Sequence, residues 1–146
     1  MKTTPDHHDA DLILKLYDLR REAVMRANRV VMTRDFAPKS WEDIEAIMAF
    51  DHPHNAALRQ VCTYWEMAYG FARHGVICAE FLAESAGEGI LIYTKVQPHL
   101  AKIRENYIPT AFKNTEWIVE NTAAGKRYNE YFQARFEKAR LAAAAK

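Results

Sequence analysis

Six histidines, two cysteines and three arginines on apolar stripes are the residues of this 146-residue chain that could do chemistry. His7-His8 lie among acids, and His52 and His54 flank Pro53 at a helix junction. Neither pair extends to a ligand set. No Glu-x-x-His occurs, as a helical di-iron bundle requires, and no His-Glu-x-x-His occurs, as a zinc protease requires. Capping and solvation account for these histidines, so no metal and no cofactor is expected. Cys62 and Cys78 form no Cys-x-x-Cys pair and fall on apolar helical stretches, where they read as reduced core residues rather than as a disulfide or zinc site. Catalysis by either thiol needs a base and an electropositive setting. The one nearby candidate base, His74, is separated from Cys78 by the bend at Gly75. Serine-hydrolase, phosphate-loop and dinucleotide-binding signatures are absent. So is the arginine-then-histidine spacing of small helical toxin ribonucleases. The expectation is a protein that is not an enzyme.

The arginines are the least expected residues. Arg20 falls between Leu16, Ala23, Val24 and Ala27. Arg104 shares a face with Ile90, Tyr93, Leu100 and Ala101, and Arg135 lies among Tyr128, Tyr131, Phe132 and Phe136. A charge on an inward stripe is costly unless it is paired and hydrogen-bonded. Glu66 is the first partner to expect, followed by Glu80, Glu84 and Glu116. Two arrangements satisfy the arginines. They can form buried ion pairs or extend their heads to water. Alternatively, they can converge on a pocket rimmed by Tyr64, Trp65 and Tyr69 that receives a small anion. Lys126, Arg127, Arg135, Lys138 and Arg140 give a weak foothold for nucleic acid. Tyr128 and Tyr131 lie on the inner stripe, however, and Glu130 and Glu137 dilute the charge. No nucleic-acid partner is expected.

These side chains need helices to hold them. Half of the residues are hydrophobic, 49%, while Gly and Pro number only five each, a composition that favours helix over strand. Net charge is +1 and gives no global argument for polyanionic partners. Locally it runs from +2 over residues 1–40 to −6 over 41–88 and +5 over 89–146, which reads as complementary packing between segments. The most apolar run, 54–74, places Leu58, Val61, Cys62, Trp65, Ala68, Tyr69 and Ala72 on one stripe, with Ala57, Tyr64, Met67 and Phe71 widening it. A helix apolar on nearly all sides is surrounded by others.

Around this central helix the spacing predicts an all-α bundle of five to seven helices forming a single domain over 1–146. A long N-terminal helix covers about 6–34, started by Thr4-Pro5-Asp6. Its main face carries Leu12, Ile13, Leu16, Leu19, Ala23, Val24, Ala27, Val30 and Val31. A thinner stripe of Leu14, Met25 and Met32 lies opposite and could serve a homodimer contact. A short helix follows from Ser40, with Asp43 closing the cap, to about Phe50. Beyond the Gly75 stop come helices at about 76–85 and 89–106, the latter kinked by Pro98. Two more are expected at about 108–123 and 126–143, separated by Gly125. No apolar run reaches the roughly 20 residues that span a bilayer, and Met1–Leu12 carries no signal-peptide core. The expected setting is the cytoplasm, with no direct membrane insertion.

The run Tyr64-Trp65-Glu66-Met67, followed by His74-Gly75-Val76-Ile77 and Ala79-Glu80-Phe81-Leu82, gives the chain a resemblance. Ile92-Tyr93-x-x-Val96, Pro98-His99-Leu100 and Ile103-Arg104-Glu105 extend it. Over roughly residues 54–140 it resembles a bacterial all-helical family of unknown function whose members often carry a membrane segment ahead of this domain. Glu66, Pro98 and Arg104 match that pattern, and the membrane segment has no counterpart here. The resemblance implies no activity. Two functions are therefore expected from the sequence: a non-enzymatic helical protein-interaction domain that self-associates, or a sensor for a small anionic ligand in an arginine–aromatic pocket.

Overall fold

At Thr4-Pro5-Asp6 two aspartates, rather than the threonine hydroxyl, close the first helix. In the computed structural model, which describes residues 1–146, α1 (His7–Leu19) begins after Asp6. The Asp6 carboxylate accepts from the backbone N–H of His8 and Asp9, and Asp9 accepts in return from Asp6 N–H at 2.8 Å. Asp9 is fully buried, and its other oxygen accepts from the backbone N–H of Cys78 at 3.1 Å. Lys2 sits 2.9 Å from both carboxylates. This clasp ties α1 to the start of α5 (Ala79–Ser85).

The helix expected over 6–34 is broken. α2 (Ala23–Val30) starts afresh at Glu22, whose carboxylate accepts from the N–H of Val24 and Met25 at 3.0 and 2.8 Å. The restart changes the phase of the apolar faces. Met25 and Met32 are buried, whereas Val24 and Val30 are exposed. Of the expected dimer stripe only Leu14 remains on the surface, so Met25 and Met32 are core residues and not contact residues. The last turn, Val31–Asp35, is a π-helix. Lys95 donates to the carbonyls of Met32, Thr33 and Phe36 there.

α3 (Trp41–Met48) is capped as its sequence indicates, with Asp43 accepting from the N–H of Lys39 and Ser40. Asn55 opens α4 (Asn55–Arg73) and donates to the carbonyls of Ile47 and Met48, closing the free end of α3. α4 is the central helix. Val61, Trp65, Ala68, Tyr69 and Ala72 are all but inaccessible, and Gly75 follows at φ +75° in the left-handed position that ends such helices.

α6 (Gly87–Val96) crosses α4 at Gly89, where an added Cβ would come within 2.6 Å of Tyr69. Only glycine permits that approach. Pro98 does more than kink its helix: a 3₁₀ turn at Gln97–His99 separates α6 from α7 (Leu100–Asn106). α8 (Lys113–Asn121) starts later than Pro109 suggests, after Phe112 in the left-handed region at φ 56°. α9 (Ala123–Ala144) includes Gly125, whose N–H is capped by Thr122 Oγ1 at 2.9 Å. The breaks at 20–22 and 97–99 raise the number of helices above the five to seven expected. There are no strands, and one hydrophobic core joins Leu16 of α1 to Phe132 of α9.

The N-terminal clasp is sensitive to acid. The Lys2 ammonium and the Asp9 N–H hold the Asp6 carboxyl down at about 2. Burial pushes Asp9 up, but Lys2 and the N–H groups of Asp6 and Cys78 outweigh it, so Asp9 also lies below its ordinary value. Carboxyls whose pKa falls on folding stabilise fully above their ordinary range near 3.8 and lose that contribution as pH falls towards 2. Protection of the α1 amides, measured against their intrinsic exchange rates, should therefore fall between about pH 4 and pH 2, ahead of that of the α4 amides. An Asp9→Asn variant should show the lower α1 protection already at neutral pH.

Candidate functional site

The three arginines do not converge. Arg20 is the only one that reaches the aromatic cluster on α4. Its guanidinium carbon lies 5.1 Å from the Trp65 ring centroid and 5.4 Å from that of Tyr17, cation–π contacts with no carboxylate partner. Trp65 stacks on Tyr69 at 5.5 Å and meets the edge of Tyr64 at 5.0 Å. The Tyr64 hydroxyl donates to the Leu16 carbonyl and the Tyr69 hydroxyl to that of Ala86. Burial pushes the Tyr64 phenol up to about 12 and raises Tyr69 well above its usual value. Arg20 Nε is buried without a partner, yet the void beside it is only about 40 Å³. That is room for about one water, not for a metabolite. Arg135 is exposed on α9.

Glu66 pairs with no arginine. Its carboxylate accepts from the backbone N–H of Asn114 and Thr115 at 3.0 and 2.9 Å and from the Thr115 hydroxyl at 2.5 Å. It caps α8 from another helix, and the Asn114 amide returns a bond to the Glu66 carbonyl. The acid that does meet an arginine and a tryptophan is Glu88, in the first turn of α6 and in the gap between the helices expected at 76–85 and 89–106. It receives Arg29 through Nε and Nη2, at 2.7 Å for the shortest contact, and the Trp65 indole N–H at 3.1 Å. No signal in residue spacing identifies it, because its partners lie 59 and 23 residues away.

Arg104 turns to Glu116 at 2.8 Å and donates from Nε to the Ala111 carbonyl at 3.0 Å. It thereby fastens residues 106–112 against α7 and α8. That segment, with α3, α4 and the end of α6, lines an apolar cavity of about 380 Å³ that is open to solvent on one side. Thirteen of its seventeen lining residues are hydrophobic, among them Ile44, Leu58, Val96, Ile103 and Phe112. Phe50, Tyr107 and Ile108 stand at its edge and are 85%, 41% and 51% exposed. Burial, with the Glu66 charge adding to it, pushes the lining thiol of Cys62 up to about 12, which keeps it protonated at neutral pH. A hollow of similar volume between α5 and α9 is lined by five residues only, including Arg127 and Tyr131. No three His, Cys, Asp or Glu side chains are grouped to hold a metal.

Removing the Glu66 carboxylate should leave three donors at the start of α8 unsatisfied. Glu66→Ala is expected to lower unfolding free energy by about 2–4 kcal/mol in urea denaturation. Glu66→Gln, which keeps one acceptor, should lose less.

No helix is long and apolar enough to cross a membrane. No curated protein and no solved structure matches the chain. A protein-family model does match, the domain of unknown function DUF4760, over residues 5–122. That span takes in Asp6, Asp9 and Cys78 of the clasp, Glu66, Glu88, Arg104 and the whole wall of the cavity. The chain belongs to this family of helical domains of unknown function.

Proposed function

We propose that the domain is a non-enzymatic binding module whose ligand is a small, largely apolar molecule held between α3, α4 and α7. One observation carries this reading: the cavity of about 380 Å³ with its apolar lining. Ligand sites are concave, mainly apolar and a few hundred Å³ in volume. Folding alone gives no reason for Phe50, Tyr107 and Ile108 to gather exposed at one mouth, and a ligand seated there would cover them. The reading replaces the arginine–aromatic anion pocket, whose void is too small. Two unpaired cysteines accord with work in the reducing cytoplasm.

A neutral apolar fluorophore such as N-phenylnaphthylamine should bind saturably at one site per chain. Thr63→Trp, which adds bulk at an exposed lining position, should weaken it by about tenfold. Binding that never saturates, or that is unchanged in the variant, would overturn the proposal.

Self-association is a second reading, favoured by α1 alone. Leu14 and Tyr17 are 66% and 54% exposed one turn apart on a helix that buries little else than Asp9 and Leu16. Light scattering should then show a dimer that Leu14→Glu/Tyr17→Glu disperses; a monomer at all concentrations removes this reading.

A further inference from the structure

The cavity contains one charged residue among its seventeen, Arg59, and this cation has no acid to neutralise it. Its side chain is nonetheless fixed. Nε donates to the Asn55 side-chain oxygen at 2.9 Å, and the guanidinium lies 5.3 Å from the centroid of the Phe50 ring. Both Nη groups are left without a protein acceptor and are held at the mouth.

The other polar lining groups are spent on the protein itself. Asn55 Nδ2 donates to the carbonyls of Ile47 and Met48, and Asn106 Nδ2 donates to that of Lys102. The Thr63 hydroxyl turns back to the Arg59 carbonyl. Cys62 is a protonated thiol. The donors that remain are the two Nη groups and the Tyr107 hydroxyl, while the depth of the cavity is hydrocarbon-like.

From this arrangement we infer that the ligand is an amphipathic monoanion, a carboxylate or its equivalent on an apolar tail. The tail lies against the partly exposed Met48, Cys62, Ile108 and Phe112, above the buried Ile44, Leu58 and Ile103, and the head pairs with Arg59. The inference rests on the binding reading above and adds the headgroup to it. A guanidinium fork offers a carboxylate two parallel charge-assisted hydrogen bonds. An alcohol of equal length gains only one weaker bond, and an ammonium is repelled.

Titration calorimetry at low ionic strength with decanoate, decanol and decyltrimethylammonium separates these cases. Decanoate should bind the wild-type chain at least about tenfold more tightly than decanol, and the ammonium should bind more weakly than both. In Arg59→Gln the preference for decanoate over decanol should vanish while the neutral fluorophore binds as it does to the wild-type chain. Arg59 is exposed and makes no ion pair, so the variant should melt within a degree or two of wild type. Arg59→Lys should retain part of the preference. If decanol and the neutral fluorophore bind but decanoate gains nothing, or if Arg59→Gln leaves the preference intact, the headgroup assignment is overturned and the apolar cavity stands. If none of the probes binds, both fall.

Discussion

The arrangement of the bundle depends on carboxylates that reach from one helix to the free N–H groups of the next. Glu66 on α4 does this for α8, and Glu80 on α5 does it for α9, accepting from Ala123 and Ala124 at 2.7 and 2.8 Å. Asp9 on α1 takes the Cys78 N–H just before α5. The start of a helix leaves N–H donors unpaired and carries partial positive charge, so an acid from outside satisfies both at once. Apolar burial supplies most of the stabilisation, but it is non-directional. Where alanines, isoleucines and leucines could slide past one another, these acids admit one axial register. Glu88 does the same laterally by holding Arg29 and Trp65 together.

The cavity is a product of that register. Glu66 fixes where α8 begins, which leaves Phe112 immediately ahead in a left-handed conformation that a bulky residue adopts only under constraint. Arg104 holds the Ala111 carbonyl from the other side. The segment 106–112 is therefore pinned where it meets α8, and Tyr107 and Ile108 stay exposed at the edge of the cavity above the buried Ile103 and Leu58. An unfilled volume in a core costs stability, and here the constraints around it are polar and specific.

Much of the fold could be read from residue order. The 54–74 stretch is apolar on almost its whole circumference, so its central place follows from hydrophobic patterning alone. Gly75, Pro98 and Ser40-x-x-Asp43 each mark a boundary by local chemistry, and each does so in the structure. The break at 20–22 has no such marker. Arg20-Arg21-Glu22-Ala23 consists of good helix formers, and what interrupts it is the Glu22 cap together with the Arg29–Glu88 pair from α6. Local propensity yielded to a contact 59 residues away. The same blindness affected the site. Arg20, Arg104 and Arg135 stood out as charged residues on apolar faces, with Glu66 as their expected partner, yet Arg20, Arg104 and Glu66 go to separate contacts and Arg135 is exposed. The cavity is lined by residues indistinguishable in type from core, because a volume that side chains fail to fill leaves no trace in their identities. Arg59 falls on the polar side of α4, where neither its type nor its spacing sets it apart from an ordinary solvent-facing residue.

The π-helical turn at Val31–Asp35 has a consequence for how this chain tolerates change in length. A π turn holds one residue more than the α-helix on which it sits, and Lys95 spans the widened carbonyls of Met32, Thr33 and Phe36. Phe36, which forms part of the cavity wall, emerges directly from that turn. Losing a single residue there would restore regular winding and swing Phe36 by about 100° around the helix axis. Lys95 would then face a closed helix instead of three open carbonyls. The shape of the cavity is thus tied to the count of residues in one turn of a helix that itself contributes few walls to it, so an insertion or deletion there would reshape it more than a substitution would.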